Sequence, residues 1–71
     1  KIELFPNPTN SKIALNSGKN YTIEIYDMKG QIVMKDKGNT IDLSNLSNAV
    51  YILKAYDNLE NTTTSYKVVK K

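Results

Sequence analysis

The sequence predicts a small all-β fold in which about seven short antiparallel strands form two sheets packed face to face. Three observations carry this. Apolar and polar residues alternate with a period of two, most clearly over Tyr21–Tyr26 and over residues 50–56. Clusters rich in Asn, Asp, Ser, Gly and Pro interrupt the chain about every 8–12 residues. No window carries apolar residues at helical spacing.

The organising stretch is residues 41–56, IDLSNLSNAVYILKAY. Its second half is the longest uninterrupted strand-like run, rich in Val, Tyr and Ile and free of Gly and Pro. Lys54 sets the phase of that strand. Side chains alternate between faces, so a wet Lys54 puts Val50, Ile52 and Tyr56 outside and Tyr51, Leu53 and Ala55 in the core. Leu46, alone in a polar corner, is expected to fold back over one end of that core.

The remaining elements follow in chain order. Residues 1–5, KIELF, read as a first strand, stopped by the rigid corner Pro6-Asn7-Pro8, where each proline removes a donor and forces its predecessor extended. A second strand, Lys12–Leu15, points Ile13 and Leu15 inward and ends in a loop at residues 16–20. The third strand, Tyr21–Tyr26, turns inward with Tyr21, Ile23 and Ile25. Asp27-Met28-Lys29-Gly30 then reads as a hairpin turn: the Asp27 carboxylate accepts local N–H groups and Gly30 supplies a positive φ. The return strand, 31–35, is expected to face inward with Ile32 and Met34, followed by a loop at 36–39. Residues 40–43 direct Ile41 and Leu43 inward. A turn at 57–61 leads to the last strand, 62–70, with Tyr66 and Val68 inward. The arrangement expected is an immunoglobulin-like sandwich forming a single domain over residues 1–71, taken as a piece of a longer protein.

Composition narrows the function. There is no cysteine and no histidine among 71 residues, so disulfides are out and the usual neutral-pH nucleophiles and bases are missing. The acids read as isolated or as turn residues, Asp27 and Asp42 among them. The 57–61 loop has no calcium-loop spacing. The expectation is a non-catalytic domain with no cofactor and no metal. Ten lysines against seven acids give a net charge of +3, and no cation is arginine. Without arginine, and with lysines spread along the chain, a solvated surface is expected rather than a nucleic-acid reader. No apolar run approaches the roughly 20 residues needed to span a bilayer, and no stable membrane insertion is expected. Tyr26 and Tyr56 fall on outward phases, so the residues also leave open a carbohydrate-binding module, or a structural spacer, of a surface protein. The first predicts both tyrosines together on one exposed face.

Four landmarks in order resemble the type A C-terminal sorting domain of the type IX secretion system of Bacteroidetes. They are Leu4-Phe5-Pro6-Asn7-Pro8; the run from Ile25 through Asp27 and Gly30 to Val33; Ile41-Asp42-Leu43-Ser44-Asn45-Leu46 continuing into Val50-Tyr51-Ile52-Leu53-Lys54; and Tyr66-Lys67-Val68-Val69-Lys70-Lys71. One position departs: Ala49 stands where that family usually has glycine. The resemblance implies a transport address that carries an upstream cargo through the periplasm and across the outer membrane to the cell surface or medium. The partners it implies are the type IX translocon, a sortase-like peptidase and the cargo domain. Lys67, Val68, Val69, Lys70 and Lys71 are the candidate recognition element. Pro6, Asn7, Pro8, Asp27, Gly30, Leu46 and Tyr51 are the candidate scaffold.

Overall fold

The computed structural model describes residues 4–5, 11–15 and 19–71. The described elements are β1 (Leu4–Phe5), β2 (Lys12–Leu15), β3 (Tyr21–Tyr26), β4 (Ile32–Gly38), β5 (Thr40–Asp42), β6 (Ala49–Asp57) and β7 (Thr62–Lys70). Six of them have three or more residues, and β1 is a two-residue pairing segment. Residues 1–3 of the expected first strand, the Pro6-Asn7-Pro8 corner and loop residues 16–18 lie outside the described residues.

The strands form two antiparallel sheets, β1-β2-β5 and β4-β3-β6-β7. In the smaller one Leu4 pairs with Leu15, and Ile13 with Ile41. In the larger one β6 is central: Leu53 pairs with Ile25 on one side and with Tyr66 on the other. Ile13, Leu15, Ile41 and Leu43 from the smaller sheet and its flank meet Tyr21, Ile23, Ile25, Tyr51, Leu53, Ala55 and Val68 from the larger in one buried cluster. The phase set by Lys54 therefore holds. Full burial of each large aliphatic side chain contributes about 1.5–3 kcal/mol, and these residues are the main source of stability. Leu46 and Tyr66 are half-buried against the cluster. The Leu46 corner closes by Leu46 N–H donating to the Leu43 carbonyl at 2.9 Å. Tyr51 donates its hydroxyl to the Ser47 carbonyl at 2.6 Å, so a core ring keeps its polar end satisfied at the same corner.

The β3–β4 hairpin bears out the Asp27–Gly30 turn. Asp27 Oδ1 accepts the N–H of Lys29 at 2.9 Å and of Gln31 at 3.0 Å, Gly30 N–H donates to the Asp27 carbonyl at 3.1 Å, and Gly30 has φ +88°. The strand after it departs from expectation. Ile32 is 42% exposed and does not face the core. Ile25 pairs with Met34 while Tyr26 pairs with Ile32, so Val33 is an extra residue in a β-bulge. The bulge breaks the alternation, leaving Met34 against the core and turning Ile32 to the outer face beside Tyr26. Pairing also runs further than expected: Asp36, Lys37 and Gly38 belong to β4, opposite Ile23, Thr22 and Tyr21. A partner strand with free ladder positions overrides their loop-like composition.

Ala49 opens β6 and is exposed. Among the described non-glycine residues only Asn61 has positive φ, at 53°. The alanine methyl is thus accommodated in ordinary extended backbone.

Candidate functional site

Two surfaces of the larger sheet hold the outward-facing chemistry: the last strand, and the face turned away from the core. Strand β7 ends the sheet beside β6, with Val50 opposite Val69, Tyr51 opposite Val68 and Ala49 opposite Lys70. Alternation divides the candidate recognition residues. Val68 is fully buried, and Lys70 is only 8% exposed with its Nζ donating to Asn48 Oδ1 at 3.3 Å. Lys67 and Lys71 are exposed and Val69 is half-buried on the outer side. Lys70 shares the phase of Tyr66 and Val68; only its ammonium needs a polar partner, and the 44–48 corner provides one.

The outer face of the sheet gathers residues far apart in sequence. Glu24 lies between Lys35 on β4 and Lys54 on β6. Glu24 Oε1 accepts both the Tyr26 hydroxyl and, at 2.9 Å, the Tyr56 hydroxyl, and Lys54 Nζ sits 4.9 Å from the centre of the Tyr26 ring. Glu24 is therefore not the isolated acid that the sequence suggested; a partner 32 residues away is invisible without the strand register. The two hydroxyls, Tyr26 first, hold its carboxyl below the usual range, with help from Lys35 and Lys54. The hydrogen bond to Glu24 in turn pushes the Tyr26 phenol well up. Tyr26 and Tyr56 thus share one face, each half-buried. Beside them an open groove of about 290 Å³ is lined by Tyr26, Asp27, Met28, Gly30, Ile52 and Lys54.

At the opposite end of the sheet the 57–61 turn is tied down by a residue read only as a turn former. Asp57 is buried; its Oδ1 accepts the N–H of Leu59 at 3.0 Å and of Glu60 at 3.2 Å, and its Oδ2 pairs with Lys19 Nζ at 3.0 Å. Lys19 also pairs with Glu60. The lysine first, then the turn N–H groups, keep the Asp57 carboxyl below its usual range against the cost of desolvation. Asp42 is exposed and accepts the Ser44 N–H at 2.9 Å, as a corner residue should. No group of three or more acids placed to hold a metal ion occurs among the described residues.

Residues 3–71 match the family described as the secretion system C-terminal sorting domain. The chain belongs to that family. No curated protein and no solved structure gave a match. As a type IX sorting domain, the chain folds with the Asp27 turn, the Leu46 corner and the lysine-flanked terminal strand in one larger sheet and its flank. In this sorting domain the Asp27 turn and the Tyr51–Ser47 corner lie at one end of the larger sheet, each closed by its own hydrogen bonds.

Proposed function

We propose that this sorting domain is a non-catalytic address that the type IX translocon reads as a folded surface, and that the outward residues of β7 are what it reads. The family match over residues 3–71 carries the secretion role. The division of β7 supports the finer reading. Its inward residues, Val68 and Lys70, are committed to the fold, while Lys67, Val69 and Lys71 form a comb of alternating charge and apolar surface along the border of the sheet. A partner strand or groove laid along that border would select by such alternation. The domain would carry its upstream cargo through the periplasm and across the outer membrane to the surface or medium, and a sortase-like peptidase would then act at the junction.

The test is export of a periplasmic reporter fused ahead of residues 1–71 in a host with an intact type IX system. The intact fusion should reach the surface or medium, and Lys67→Glu with Lys71→Glu should hold a folded fusion in the periplasm. Lys70 is left untouched because it is buried. Export of the doubly substituted protein at the unaltered rate would place recognition elsewhere. A folded, intact fusion that stays periplasmic would overturn the sorting role in favour of a spacer.

A further inference from the structure

We infer that the outer face of the β4-β3-β6-β7 sheet binds an acidic polysaccharide, a function separate from sorting. The lysines look scattered in sequence, yet the register brings Lys35, Lys37, Lys54 and Lys67 onto this one face. Among the described residues Glu24 is the acid within these paired rows, and Asp27 borders the groove at one end of the face. Adjacent strands are about 4.8 Å apart, so Lys35 and Lys54, on either side of Glu24, stand about 10 Å from each other. Lys37 is one row away opposite Thr22, and Lys67 is one row away opposite Ile52. The result is a cationic grid spaced to meet the repeating carboxylates of a sugar chain.

Charge alone would suit any polyanion; the residues between the lysines favour a glycan. Tyr26 and Tyr56 approach Glu24 from opposite sides of its row and bring their hydroxyls together on its Oε1, with Lys54 over the Tyr26 ring, so the centre of the face is a cluster of hydrogen-bonding groups suited to sugar hydroxyls. Glu24 is an ionised acceptor able to take sugar hydroxyls, and Thr63 and Ser65 extend the hydroxyl-bearing strip on β7. Arginine, the best reader of phosphates, is absent.

The test uses the folded protein and polygalacturonate as probe, with neutral dextran, a DNA duplex of matched charge and anionic phospholipid vesicles as the other arms. Polygalacturonate should bind, weakening with salt as counterions are released. Dextran should bind at least about tenfold more weakly, and DNA and vesicles more weakly than polygalacturonate. Lys35→Glu and Lys54→Glu, each alone, should cost about fivefold in affinity. Lys12→Glu, the same charge change on the other sheet, should cost less than about twofold. Circular dichroism confirms that each variant is folded. No binding of polygalacturonate, equal losses for Lys12→Glu and Lys54→Glu, or tighter binding to DNA or vesicles would each overturn the inference, the last by assigning the face to nucleic acid or membrane. None of these outcomes touches the export assay.

Discussion

Val68→Ala and Lys67→Glu, neighbours on one strand, should separate folding from recognition. Val68 has no exposed surface and packs in the core opposite Tyr51. Alanine removes two carbons, about 1.6 kcal/mol at roughly 0.8 kcal/mol each, and the residual cavity brings the loss to about 2–3 kcal/mol. A chain of this size has only about 4–10 kcal/mol to lose, so the variant remains folded but weakened. In a thermal scan the midpoint should fall by roughly 10–20 °C. In urea the midpoint should drop with an unchanged slope, because the surface exposed on unfolding is the same. Lys67 points outward on the same strand, and Lys67→Glu should move stability by less than about 0.5 kcal/mol. A Val68→Ala loss under about 0.5 kcal/mol, or a Lys67→Glu loss as large as that of Val68→Ala, would refute the division of faces on which the recognition surface rests.

Gly30→Ala should destabilise by about 1–2 kcal/mol in urea titration, purely through backbone strain, since φ is +88° and an added Cβ would meet nothing. A loss above about 4 kcal/mol would show a steric clash instead. Ala49→Gly should lower stability by up to about 1 kcal/mol, because Ala49 has negative φ in an extended strand and glycine adds freedom to the unfolded chain. A gain would mean that the alanine is strained. Asp57 titrates below its ordinary value of 3.8 in the folded state. Its stabilisation is thus complete above that value and is lost as pH falls through it toward the folded pKa. Asp57→Asn should flatten the acid limb of a stability–pH curve, and an unchanged acid limb would exclude the Lys19–Asp57 tie as its source.

Much of this protein was legible from local pattern. Period-two alternation with Lys54 as phase marker placed Tyr51, Leu53 and Ala55 in the core, and Ile13, Leu15, Ile23, Ile25, Ile41 and Leu43 with them. Turn chemistry found the Asp27–Gly30 hairpin, because a short-range carboxylate acceptor and a positive φ are properties of neighbouring residues. The order of motifs pointed to the sorting-domain family. Register was not legible. A single extra residue, Val33, reversed the facing of Ile32, and alternation cannot reveal a bulge whose residues are all apolar. Pairing between strands also decided which charges meet. Glu24 found Tyr56, Lys19 found Asp57 38 residues away, and Lys70 was drawn inward to Asn48. The four lysines became one face for the same reason. Strand hydrogen bonds are made by backbone groups common to every residue, so side-chain pattern sets which face is buried. Only the packed sheets decide which distant residues stand side by side.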